Sequence, residues 1–219
     1  MNFSKTTLIL ATLVSLSVST IAHAEVIHEL SDKEHVLSVG FRTGIHESQS
    51  LPINSCSDCS AVPYGSGFAL GMDILHRRGT LEVGVSIEEQ ASPLWGPEES
   101  LIAAFVGRRD TFGILAIRSG LELGSHRVQH YSEFLSRRTV TNSDWAVLPF
   151  AGARLEGDLE VWPAAGLHLG VWTSLRTDVA RFEQTVKMSS GLFEPRVQDH
   201  RYQAGSTQIA GGVKVGFSI

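Results

Sequence analysis

Residues 37–45 alternate strictly: Leu37, Val39, Phe41, Thr43 and Ile45 share one face, and Ser38, Gly40, Arg42 and Gly44 share the other. A β-strand turns successive side chains to opposite faces, so a period of two marks a strand with one apolar side. The pattern returns in Phe68, Leu70, Met72 and Ile74 against Gly67, Ala69, Gly71 and Asp73, and most cleanly in Leu81, Val83, Val85 and Ile87 against Glu82, Gly84, Ser86 and Glu88. Residues 101–107 are apolar on both faces, so their parity is unreadable. Leu115, Ile117, Leu121 and Leu123 (with Ser119) then oppose Arg118, Gly120, Glu122 and Gly124. Val147, Ala151, Ala153 and Leu155 oppose Gly152, Arg154 and Glu156; Leu167, Leu169, Val171 and Leu175 oppose Gly166, His168, Gly170, Ser174 and Arg176. The last run sets Ile209, Val213, Val215, Phe217 and Ile219 against Ala210, Gly212, Lys214, Gly216 and Ser218. No segment after the N-terminal apolar run carries a helical period. The pattern predicts an all-β chain of eight strands.

The connections alternate too. Short turns are predicted around residues 76–79, at Arg109-Asp110 and at Gly157-Asp158, the last a favoured hairpin pair. The other connections, roughly 46–66, 89–100, 125–144 and 178–204, are long and polar. A soluble sandwich has no reason to sort its loops this way, whereas a membrane barrel does. The polar face points the same way. It is built of Gly, Ala and Ser with isolated charges, which suits the narrow lumen of an eight-stranded barrel. Glu82, Glu122, Glu156, Arg118, Arg154, Arg176 and Lys214, with His168 beside them, would then meet inside and neutralise one another. The alternative is a soluble barrel whose apolar face lines a ligand cavity. The predicted fold is therefore a closed antiparallel up-and-down transmembrane β-barrel.

Two features strain strict alternation. Pro149 and Pro163 fall within the sixth and seventh strands, where a closed barrel has no free edge to excuse a missing donor. Strict parity also turns Trp162 and Trp172 inward. A β-bulge near Pro163 would reverse the facing there and bring Trp162 out to a membrane-interface girdle.

The N-terminus is a targeting segment. Lys5 precedes a mostly apolar run over residues 7–18, and Ala22-His23-Ala24 has the small residues of a cleavage site. The run is too short for the ~20 apolar residues of a spanning helix. Residues 1–24 are expected to be a signal peptide, and residues 25–219 a single barrel domain. The chain of 219 residues carries a net charge of -5, one unit more negative without Lys5, so nucleic-acid binding has no electrostatic support.

With its signal segment, eight amphipathic strands and alternating short and long connections, the chain resembles the small OmpA/OmpX-type outer-membrane barrels of Gram-negative bacteria. The resemblance covers residues 35–219 and rests on architecture. It implies an outer-membrane location, a monomer among outer-membrane lipid and lipopolysaccharide, and insertion by the barrel-assembly machinery. In such proteins the last strand usually ends in an aromatic residue that serves as the assembly signal. Here the corresponding stretch is Val213, Val215, Phe217 and Ile219, ending in Ile219 with Phe217 two residues earlier on the same face.

Candidate chemistry is sparse. Cys56 and Cys59, the only cysteines, fall in the first long connection. After export they are expected to form a small disulfide; a metal site would need further ligands, with His46 the only one nearby. Some barrels of this size are lipid A-modifying enzymes, and His46-Glu47-Ser48 collects the residue types of a hydrolase. Adjacent residues diverge, however, and triads are assembled from distant segments. Ser119 faces outward with no histidine on its surface, and His126 and His130 read as solvated loop residues. No catalytic residue, metal or cofactor is expected. Eight strands leave too little lumen for a general porin, while a small gated conductance stays open. The third connection holds Arg127, Tyr131, Phe134, Arg137 and Arg138, and the fourth holds Arg181, Phe182, Lys187, Phe193, Arg196 and Arg201. These basic and aromatic residues are candidates for contact with lipopolysaccharide or an external ligand. The expected role is structural or surface interaction.

Overall fold

The computed structural model describes residues 35–53, 58–62, 64–91, 98–129, 138–142, 146–190 and 196–219. The segment 1–24 and residues Cys56, His130, Tyr131, Phe134, Arg137 and Phe193 lie outside them. Twelve strands are described: β1 His35–Ser50, β2 Ser60–Ala61, β3 Ser66–Arg78, β4 Leu81–Ala91, β5 Glu98–Phe112, β6 Leu115–Gln129, β7 Arg138–Asn142, β8 Ala146–Trp162, β9 Leu167–Asp178, β10 Phe182–Ser190, β11 Arg196–Ala204 and β12 Ser206–Ser218. Eight of them close a barrel in the order β1-β12-β9-β8-β6-β5-β4-β3, each antiparallel to its neighbours. Barrel strands that follow one another in the chain are therefore neighbours in space, and β1 meets β12 to shut the ring.

The outward face is the apolar one. Leu37, Phe41 and Ile45 on β1, Val83, Val85 and Ile87 on β4, and Ile117, Leu121 and Leu123 on β6 are all exposed. The inward positions between them are buried. On β1 and β6 the apolar belt covers about nine residues, the length a tilted strand needs to cross a bilayer. Above it the outward positions turn charged, at Glu47, Glu89, Glu98 and Arg127. At the opposite end Phe112, Trp162 and Phe217 are exposed around the rim. A wall of exposed Val, Leu and Ile around a charged interior is the inverse of a water-soluble protein and matches a hydrocarbon surrounding. The unreadable run also resolves: Leu101, Ala103 and Phe105 point in, Ile102 and Val106 out.

Glycine lets the strands crowd. At the closing seam Gly44 stands opposite Gly212. A Cβ on Gly44 would lie 2.2 Å from the Gly211 carbonyl oxygen, and one on Gly212 would lie 2.0 Å from that of Thr43. The short turns hold Gly79, Gly113 and Gly166 at φ of 63°, 64° and 62°, where a side chain is disfavoured.

Three expectations are corrected. Arg109-Asp110 and Gly157-Asp158 are not turns: β5 runs on to Phe112 and β8 to Trp162, and the turns lie at Gly113-Ile114 and 163–166. Pro163 accordingly opens a one-turn 3₁₀ helix and needs no ladder donor. The irregularity expected near Pro163 is present: the register shifts between Glu160 and Trp162, and Trp162 is exposed while Trp172 stays inside. Pro149 remains within β8, but its carbonyl accepts from Val179 beyond Phe150↔Asp178, the first pair of that ladder. The N–H and C=O of one residue point to the same side in an antiparallel strand, so its missing donor faces a ladder that has already ended. Finally, the long connections are not simply loops. Among the described residues three of them supply a second sheet, β2-β11-β10-β7, at the barrel end opposite the glycine turns.

The charged lumen and its outer mouth

Alternation delivers one inward residue from each strand at each level, and the charged ones converge. Nearest the turns, Arg118 of β6 is bonded to Glu82 of β4 and Glu156 of β8. Lys214 of β12 joins Glu156 and reaches Asp158 at 3.2 Å. Arg109 stands at this lower rim, 3.8 Å from both Glu82 and Asp158. One level up, Arg154 pairs with Asp73 at 2.9 Å and Glu122 at 3.1 Å, and Arg42 lies 3.1 Å from Asp73. Above that, Arg176 holds Glu88 at 2.7 Å and Glu122 at 2.8 Å. These residues are nearly all fully buried. At these three levels five buried cations and Arg109 thus face six carboxylates, so charge is balanced there and each has a partner, as desolvated charges require.

Several of these pairs cross the barrel. Asp73 on β3 and Arg154 on β8 stand four strands apart around the ring, as do Glu88 on β4 and Arg176 on β9. Aromatic rings fill the remaining width. Phe105 lies where Cβ atoms on Gly107 and Gly120 would come within 2.5 and 2.6 Å of its ring, and Arg154 stacks 4.4 Å above it. Trp172 finds room beside Ala69 and Ala210, with Arg42 at 4.7 Å from its ring centre.

The structure brings Glu82, Arg118, Glu122, Arg154, Glu156, Arg176 and Lys214 into one network. His168 is inside as well, but it hydrogen-bonds the Gly166 carbonyl at 3.3 Å and packs over Gly216 instead of taking a charged hydrogen-bond partner. Arg42, Asp73, Glu88 and Asp158 belong to the network and were not singled out from sequence. Their inward parity was the available signal for the first three; Asp158 was hidden by its reading as a turn. Val213 and Phe217 point outward on β12, and Ile219, exposed just after it, exchanges hydrogen bonds of 2.9 and 2.8 Å with Leu37.

At the outer mouth His126 requires a correction. It is not a solvated loop residue: it is buried on β6, with Nδ1 at 3.0 Å from Asp178 and Nε2 at 2.9 Å from Glu99. Gln208 of β12 donates to Glu99 at 2.7 Å, again across four strands. Val62, Val128, Ala146, Leu148 and Ala204, with Tyr64 and Tyr202 packed on them, form an apolar plug at this end. His46 and Ser48 both point inward and meet at 3.3 Å, whereas Glu47 points out, so the three do not converge.

In the surface extension Arg181 and Phe182 are exposed, and Arg181 donates to the Pro52 carbonyl at 2.9 Å. Arg201 pairs with Glu183 at 3.0 Å. Arg138, Lys187 and Arg196 lie on β7, β10 and β11. Cys59 is disulfide-bonded.

Fold and lumen together define the class: a small, closed, eight-stranded antiparallel membrane barrel filled by its own side chains. No family model and no curated protein matches the chain. Among solved structures it is similar to Neisserial surface protein A, with a TM-score of 0.47 and 13% identity, covering 83% of this chain and 96% of that one. It is also similar to the N-terminal β-barrel domain of Pseudomonas aeruginosa OprF, with a TM-score of 0.44 and 11% identity, covering 85% of this chain and 98% of that one.

Proposed function

We propose that this protein is exported by its N-terminal segment, stands in the outer membrane as a sealed barrel, and acts structurally or through the sheet it carries outside, not as a diffusion pore. The observation that carries this reading is the set of ion pairs crossing the lumen, Arg154–Asp73 and Arg176–Glu88. They occupy the space through which a solute would pass, and eight strands leave none beside them. In this orientation the three glycine turns face the periplasm, and β10 and β11 face outward. Arg127 and Arg181 then sit just above the apolar belt with Val179 and Phe182 exposed near Arg181, a basic and apolar rim suited to lipopolysaccharide or another anionic amphiphile. The outward edge of β12, from Val213 to Ile219, is the part offered to the assembly machinery. The test is electrical. The full-length protein in planar bilayers at pH 7 is expected to show no steady conductance. A stable open state would overturn the sealed-barrel reading.

A further inference from the structure

We propose that Glu99, His126 and Asp178 form a proton-dependent latch that holds the outer mouth of the lumen shut and fixes the base of the β10–β11 hairpin. The geometry assigns the parts. Both ring nitrogens of His126 face carboxylate oxygens, at 3.0 Å (Asp178) and 2.9 Å (Glu99), and a carboxylate only accepts. With both acids ionised, both nitrogens donate and the ring is an imidazolium, while the Gln208 amide nitrogen, 3.2 Å from Nε2, directs its hydrogens to Glu99. Among the described residues, the lumen cation one level down, Arg176, is engaged by Glu88 and Glu122.

The latch ties distant parts of the wall together. His126 links β6 to β5 through Glu99 and to β9 through Asp178. Asp178 also accepts from the Ser206 backbone N–H at 2.7 Å and from its hydroxyl at 3.2 Å. Residues 178 and 206 are the two feet of the β10–β11 hairpin, so this carboxylate pinches its base. The apolar plug sits at the same end, and Tyr64 within it has its ring centre 6.3 Å from that of His126.

The other groups packed around His126 set its response to pH. His46 of β1 approaches on one side as a second titratable ring, and Leu148 is its paired neighbour on β8. Gln90 of β4 and Gln208 of β12 add uncharged amides. His126 stands above the apolar belt, which ends on β6 at Leu123. Burial by itself lowers its pKa; the hydrogen bonds and charges of Asp178 and Glu99 outweigh burial and push it up to about 9. A group whose pKa is raised on folding contributes stability below its unfolded value and loses it as pH rises through the folded one. The latch is therefore closed at neutral pH and released in alkali.

The experiment is hydrogen exchange on the full-length protein in detergent micelles at pH 7 and pH 10, each rate divided by the intrinsic rate at that pH. Amides of residues 124–128 and of Ser206 are expected to lose at least ten-fold in protection at pH 10, while residues 117–121 keep theirs. In His126→Gln the mouth amides are expected to be weakly protected at both pH values. Unchanged mouth protection in the wild type at pH 10 would overturn the latch, and so would an equal pH-dependent loss in His126→Gln. The wild-type arm stands even if the variant fails to fold, and neither arm depends on the conductance result.

Discussion

Arg118 shows what a single residue contributes in this lumen. Its guanidinium is 1% exposed and bonded to Glu156 on the neighbouring β8 and to Glu82 on β4, two strands away on the other side. Burying such charges is costly, so the network is weak evidence for stability as a whole. Removing one member is a different matter, because it strands the others without compensation. Arg118→Leu is expected to destabilise the barrel by about 3–5 kcal/mol in denaturant unfolding from detergent. Adding Glu82→Gln and Glu156→Gln should recover much of that loss. Recovery would separate the penalty of unpaired charge from the loss of the arginine's own packing. Most of these residues were legible because a charge on an otherwise Gly/Ala/Ser face has one place to go. His126 was not legible. Its partners lie 27 and 52 residues away, and nothing in its own neighbourhood distinguishes it from a loop histidine.

At the scale of elements, β8 is the instructive case. Gly157-Asp158 has the composition of a hairpin turn, yet the strand continues through it to Trp162. Local turn propensity lost to register. Asp158 at an inward position gains Lys214, and Gly166 offers a left-handed turn a few residues later. The two readings differ in what Gly157→Ala does. In a left-handed turn, alanine would cost about 1 kcal/mol or more. In the strand seen here a Cβ would meet nothing nearer than 3.9 Å from Val171, so the change is expected to lie within about 0.5 kcal/mol of neutral. Unfolding midpoints of the variant and the wild type decide it. The second sheet was hidden for a related reason. Residues 182–190 and 196–204 mix polar and apolar positions without strict alternation, because pairing outside the barrel does not require one wholly apolar face. The run 101–107 was ambiguous because Leu101, Ala103 and Phe105 fill the lumen where their neighbours on other strands are charged or small.

For the whole molecule, the inside-out arrangement was the readable part. Alternation fixed two faces, the small residues on one of them marked it as the interior of a narrow barrel, and the three glycine turns close one end as the short connections implied. The lumen's polarity and the apolar belt are consequences of one fact: every strand presents the same face to the bilayer. The apolar belt then ends where charged outward residues begin, and the chain above it folds back into a sheet of its own. All of this depends on the barrel being closed and embedded in membrane. The most direct measurement is the gel mobility of the protein from the outer-membrane fraction, boiled and unboiled. A closed barrel resists detergent until heated, so the unboiled protein is expected to migrate as a compact species and to shift on boiling. An unshifted band recovered in the soluble periplasmic fraction would contradict the account.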